Sequence, residues 1–126
     1  MLSVRNLTTQ YHRDGVISAV DDVSFDLGSG QTMGIVGESG SGKSVTARSI
    51  VRLIRSPGRI VGGEIYWKDS DVLEMDENQL RALRGGEIGL VFQDARNAFD
   101  KTYTIGEQIQ EAIESVGSQY GSNPRD

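Results

Sequence analysis

The chain contains no cysteine, one histidine (His12) and two prolines among its 126 residues. Without cysteine there are no disulfides and no thiolate metal sites, which suits a reducing compartment. No apolar run approaches the ~20 residues that a membrane span requires. The first residues, Met1-Leu2-Ser3-Val4-Arg5-Asn6, show no basic stretch followed by an apolar one, so no signal peptide is expected. Excess positive charge is also missing. Lys and Arg total 13 against 18 Asp and Glu, a net charge of −5, so no nucleic-acid partner is expected. Any bound anion must be held by local geometry.

What is present describes a globular chain. Hydrophobic residues make up 37% and charged residues 25%, and the length suits one domain. There are 16 glycines, roughly twice the usual share. They lie at the ends of apolar segments rather than in a linker, where tight turns and close backbone approach would place them.

Hydrophobic periodicity gives the order of elements. Leu2-Ser3-Val4 alternates, and Asp14-Gly15 is a hairpin signal. Val23, Phe25 and Leu27 alternate with polar residues as in a half-buried strand. Met33-Gly34-Ile35-Val36 and Ile88-Gly89-Leu90-Val91-Phe92 read as short buried strands. From Lys43 a helical period places Val45, Ala47, Ile50, Val51 and Ile54 on one face, with Pro57-Gly58 as the stop. Ile65-Tyr66-Trp67 reads as a strand. A further helix opens at Asp76, with Gln79 as capping partner, Met75 and Leu80 as a staple and Gly85 past its end. The last helix opens at Thr104 with Glu107 as capping partner. It carries an apolar stripe of Ile105, Ile109, Ala112, Ile113 and Val116 and ends at Gly117, before a polar, frayed tail. Strands first, then strand–loop–helix, indicate an α/β core with an antiparallel group at the N-terminus.

The sharpest motif is Gly37-Glu38-Ser39-Gly40-Ser41-Gly42-Lys43-Ser44, a full match to G-x-x-x-x-G-K-[ST]. At this composition the match would arise by chance in fewer than about 1% of such chains. Glycines let the backbone wrap so that successive N–H groups converge on an anion. The following helix adds its N-terminal N–H groups, continuing into Val45, and the positive end of its dipole. Lys43 would place an ammonium on the β- and γ-phosphates, and Ser44 would offer its hydroxyl to Mg²⁺. Glu38 is tolerable there only if it points away from the phosphates. The plainer reading is a Gly-rich turn with a solvated lysine.

These residues resemble a known family. Val20-Asp21-Asp22-Val23-Ser24-Phe25-Asp26-Leu27, the loop Gly37 to Ser44, and Ile88-Gly89-Leu90-Val91-Phe92-Gln93-Asp94 occur in the order and spacing of an ABC-transporter ATP-binding subunit. The loop with Val45-Thr46-Ala47-Arg48, Arg81-Ala82-Leu83-Arg84-Gly85 and Tyr103-Thr104-Ile105-Gly106-Glu107-Gln108-Ile109 are similar to the dipeptide/oligopeptide/nickel import branch. The resemblance implies an α/β P-loop NTPase core with an N-terminal antiparallel β subdomain, incomplete at the C-terminus. It divides the chain into the β subdomain and P-loop core to about residue 92, the Q-loop and the start of a helical subdomain over about 93–117, and a tail over 118–126. It implies ATP and Mg²⁺ as ligands, with Tyr11 stacking on adenine. Gln93 takes the place of the Q-loop glutamine that reaches Mg²⁺ and the attacking water. Tyr11 read alone is a hairpin aromatic packing on its own sheet, and Gln93 a surface glutamine.

By the same resemblance the partners are transmembrane permease subunits, a second ATP-binding subunit and, indirectly, an extracytoplasmic solute-binding protein. The place is the cytoplasmic face of the membrane. Two departures qualify this. After Gln93-Asp94 the chain reads Ala95-Arg96-Asn97-Ala98-Phe99-Asp100-Lys101, where peptide importers continue with a proline and a Ser-Leu-Asn-Pro-like stretch. The sequence also has no Leu-Ser-Gly-Gly-Gln-like signature, no second acidic strand and no switch histidine, since His12 lies near the N-terminal turn. The expectation is nucleotide binding without hydrolysis in these residues, with apolar surface exposed where further elements would pack. The alternatives are a truncated nucleotide-binding module and a P-loop enzyme outside transport.

Overall fold

The computed structural model describes residues 1–94 and 98–120, with side chains to residue 115 in the last helix. The chain divides into two units, Met1–Asp76 and Glu77–Asp126.

The first unit is built on a four-stranded antiparallel sheet: β1 (Leu2–His12), β2 (Val16–Leu27), β3 (Gly58–Trp67) and the short β4 (Ser70–Asp71), in the order β2-β1-β3-β4. The β1–β2 turn has Asp14 at φ 52° and Gly15 at φ 137°, with Arg13 N donating to Gly15 O at 3.0 Å. This is the hairpin that Asp14-Gly15 signalled.

One crease runs across three strands. On β1, Leu2 and Val4 are buried, and so are Leu7 and Thr9. That shift of phase is made by Asn6, which sits at φ 47° as an inserted residue. Asp22 of β2 (φ 52°) and Gly63 of β3 (φ 97°) turn at the same place. Asn6 Nδ2 donates to Asp22 Oδ1 at 2.6 Å, and Asn6 N donates to Ser24 Oγ at 2.8 Å. A Cβ on Gly63 would lie 2.5 and 2.6 Å from the carbonyl oxygens of Arg5 and Asn6. Only glycine fits both that approach and that φ. Leu7, Val4, Ile65, Val51 and Val72 form the core beneath.

Helix α1 (Lys43–Ile50) is shorter than its apolar period predicts. It ends in a Schellman motif. Arg52 takes the left-handed conformation (φ 51°), Leu53 N donates to Arg48 O at 2.8 Å, and Arg52 N donates to Ser49 O at 3.0 Å. A residue other than glycine holds this position because its guanidinium is used: Arg52 Nη1 donates to Val72 O (3.2 Å) and Met75 O (2.7 Å). The buried face also differs from the expected one. Thr46 and Ser49 are buried, whereas Val45, Ala47 and Ile50 are only half-buried. Small hydroxylated residues let the helix lie close on the sheet.

In the second unit, α2 (Glu77–Ala82) continues into a π-turn over Leu83–Glu87, closed by Ile88 N donating to Leu83 O at 2.8 Å. Gly85 is thus inside the element rather than past its end. Helix α3 (Ile105–Tyr120) opens on a complete capping box. Thr104 N and Oγ1 each donate to Glu107 Oε2 at 2.8 Å, and Glu107 N donates back to Thr104 Oγ1 at 3.3 Å. The helix passes through Gly117 to Tyr120, three residues beyond its expected end. Expectations for Ala95-Arg96-Asn97, for the Val116 side chain and for residues 121–126 lie outside what is described.

Two expected buried strands are not in the sheet. Met33–Val36 and Ile88–Phe92 have no strand partner among the described residues. Val36 is 94% and Val91 96% exposed. An apolar run marks what a segment can bury, but a strand exists only when a neighbour takes its backbone N–H and C=O groups. The expected β3 strand, by contrast, is longer than Ile65–Trp67. Its first half, Gly58–Glu64, carries glycines at 58, 62 and 63 that weaken the sequence signal. Exposed Ile105, Ile109 and Ile113 show that the α3 stripe too is uncovered among the described residues.

Candidate functional site

The loop between residue 37 and α1 is shaped by its first and last glycines and by the lysine. Gly42 caps α1 in the left-handed conformation (φ 92°), and its carbonyl accepts from Thr46 N at 2.8 Å and Thr46 Oγ1 at 3.0 Å. A Cβ at Gly42 would stand 2.2 Å from the carbonyl oxygen of Ala19. Ala19 is the bulged residue of β2: Thr9 pairs with Val20 and Gln10 with Ser18, which leaves Ala19 unpaired. The bulge turns that carbonyl against the head of α1.

Lys43, the first residue of α1, folds its ammonium back over the loop. Nζ donates to Gly37 O at 2.7 Å, Glu38 O at 2.6 Å and Ser41 Oγ at 3.3 Å. The lysine therefore ties the two ends of the loop together and holds a positive charge over it. Since the first helical bond is Thr46 N to Gly42 O, the N–H groups of Lys43, Ser44 and Val45 have no partner within the helix. Gly40 sits at φ 82° with nothing within 4 Å of its Cβ position, and residues 37 to 41 are exposed. Ser44 is exposed on the first turn, so a hydroxyl is available beside this array. Fixed N–H donors, an ammonium and a hydroxyl suit a polyphosphate with Mg²⁺, an ion that takes few protein ligands and keeps its waters.

The electrostatics are more favourable than the overall charge suggests. Between Glu38 and Glu64 the chain has five cations (Lys43, Arg48, Arg52, Arg55, Arg59) and no acid. The net charge of −5 is carried elsewhere, so the segment that follows Glu38 is locally positive.

A family model described as ABC transporter matches residues 20–124. The chain belongs to the ABC transporter family. Among curated relatives, it is 43% identical over 119 residues to the "Probable peptide ABC transporter ATP-binding protein" of Sinorhizobium fredii, covering 93% of this chain and 36% of that one. It is 42% identical over 114 residues to the dipeptide transport ATP-binding protein DppD of Lactococcus lactis, covering 90% and 33%. Among solved structures, the dimeric structure of MJ0796, a bacterial ABC transporter cassette, superposes with a TM-score of 0.78 at 26% identity, over 92% of this chain and 48% of that one. The chain thus spans about a third of the length of these curated relatives. No described helix is long and apolar enough to cross a membrane.

Gly37, Glu38, Ser39, Gly40, Ser41, Gly42, Lys43, Ser44 and Val45 are brought together in one loop and helix start. Tyr11, near the end of β1, pairs with Ile17 and Gly58, and its ring lies over Gly58 beside Ile54. A Cβ on Gly58 would stand 2.7 Å from Tyr11 Cε1. Gly58 is therefore a seat for the ring at the start of β3 rather than the helix stop that Pro57-Gly58 suggested, since α1 already ends at Ile50. Gln93 lies in the second unit, exposed at a bend after Phe92. His12 is exposed, with its N–H donating to Pro57 O at 3.2 Å. Sequence reasoning missed Ala19 and the hydroxyl pair Thr9–Ser49, because a backbone carbonyl and two small polar residues leave no pattern.

Proposed function

We propose that the chain is part of the ATP-binding subunit of a peptide-type ABC importer, and that its loop Gly37–Ser44 binds ATP with Mg²⁺. The observation that carries this is Lys43 Nζ at 2.7 and 2.6 Å from the Gly37 and Glu38 carbonyls, at the head of a helix whose first N–H groups are free for an anion. The names of the relatives support the peptide class. In this reading Tyr11 supplies a face for the adenine, Ser44 offers its hydroxyl to the Mg²⁺, Val45 closes the N–H array, and Gln93 serves as the Q-loop glutamine. The subunit works at the cytoplasmic face of the membrane with permease subunits and a second ATP-binding subunit, fed by a solute-binding protein.

We further propose that these 126 residues hold nucleotide without hydrolysing it. The sequence has no second acidic strand to supply a general base, and its one histidine lies at the end of β1. The test is a phosphate-release assay on the chain with MgATP, beside its Lys43→Ala variant. The expected result is no turnover above that of the variant. Turnover that depends on Lys43 would contradict it.

A further inference from the structure

Thr9 and Ser49 form a hydroxyl pair at 2.9 Å, both fully buried, between β1 and α1. Its direction follows from chemistry. Ser49 Oγ spends its one proton on Val45 O at 2.8 Å, so Thr9 donates to Ser49. The pair sits between two other contacts. At the head of α1, Gly42 is pressed on Ala19. Past its end, Ile54 and Gly58 carry the ring of Tyr11. Thr9 and Tyr11 are two residues apart on β1, in unbroken register with β3 (Thr9 with Ile60, Tyr11 with Gly58), so they share one face. Eight helical residues span about 12 Å, so α1 stands between the loop at its head and the segment past its end that carries the ring.

We propose that Thr9 and Ser49 are positioning residues for nucleotide: their bond sets where α1, which crosses from β2 over β1 toward β3, holds the loop at its head relative to the Tyr11 ring. This rests on the reading of the loop and Tyr11 given above. Gly42 against Ala19 holds the head of α1, and Arg52, bonded to Val72 O and Met75 O, holds its exit. The Thr9–Ser49 bond is the hydrogen bond that ties the body of the helix to β1, and it fixes the helix along its axis. Losing the bond therefore affects ligands that reach both ends, and spares ligands that need only the loop.

The experiment compares two ligands, MgATP and inorganic tripolyphosphate with Mg²⁺, by calorimetric titration of the whole chain. Thr9→Val is expected to weaken MgATP roughly three- to tenfold while tripolyphosphate changes less than about twofold. Thr9→Ser, which keeps the hydroxyl, restores MgATP binding. Tyr11→Ala shows the same selective loss as Thr9→Val. A double variant, Thr9→Val with Ser49→Ala, leaves no buried polar group behind and serves if Thr9→Val alone does not fold. Equal loss for both ligands, or unchanged MgATP binding in a folded Thr9→Val, overturns the positioning role. Undiminished binding of both ligands by Lys43→Ala would instead overturn the loop reading beneath it.

Discussion

Gly42 and Ala19 meet backbone to backbone, so closely that a Cβ on Gly42 would stand 2.2 Å from the Ala19 carbonyl oxygen. The contact joins the head of α1 to a bulge in β2. Gly42→Ala adds a clash with rigid backbone to a left-handed φ of 92°. The expected cost is on the order of 3 kcal/mol or more, with loss of phosphate binding. Gly40→Ala faces only the φ of 82° in open space and should cost about 1–2 kcal/mol. Urea midpoints of the two variants check the order; Gly40→Ala proving the more damaging would contradict it.

The Thr9–Ser49 pair predicts an asymmetry in stability. Thr9→Val leaves Ser49 still bonded to Val45 O, so the loss is about 0.5–1.5 kcal/mol. Ser49→Ala leaves the fully buried Thr9 hydroxyl without its acceptor, at about 1–3 kcal/mol. Thermal melts of the two variants measure the difference, and equal melting temperatures would refute the direction assigned to the bond.

At the exit of α1, Arg52 combines a strained backbone with a useful side chain. Arg52→Ala keeps φ 51° and loses the bonds to Val72 O and Met75 O. Arg52→Gly loses the same bonds but relieves the backbone, so it should be the more stable by about 1 kcal/mol. Chemical denaturation of both variants gives the ranking.

Helix α3 should respond to pH through its cap. Hydrogen bonds from the Thr104 N–H and then its hydroxyl hold the Glu107 carboxyl below the usual carboxylate range. A depressed folded value means that the contribution is fully present above the ordinary glutamate range. It is lost as pH falls through that depressed value, below the ordinary glutamate range. Glu107→Gln keeps the box geometry without a titrating group. Circular dichroism should show less acid-induced fraying attributable to this cap in the variant; identical acid profiles would remove the role assigned to Glu107.

Much of this was legible in the residues, for reasons that differ from place to place. The loop Gly37–Ser44 is legible because its glycines, lysine and serine follow one fixed spacing, and the hairpin and the Thr104–Glu107 box because turn and cap chemistry is local. Met33–Val36 and Ile88–Phe92 read as strands yet have no strand partner among the described residues, since pairing depends on partners and not on the segment itself. The end of α1 was misplaced because Arg52 takes a left-handed role usually given to glycine, through tethers formed 20 and 23 residues away. The Asn6–Asp22–Gly63 crease and the Ala19 bulge are long-range backbone events. No period in the sequence announces them.

The central claim is that Lys43, held over the loop by the Gly37 and Glu38 carbonyls, makes this segment a nucleotide-phosphate site. The most direct measurement is a titration of a fluorescent ATP analogue with Mg²⁺ against the chain and its Lys43→Ala variant. Loss of a charge-assisted bond to phosphate should weaken binding by at least about tenfold. Equal affinity in the two proteins would contradict the account.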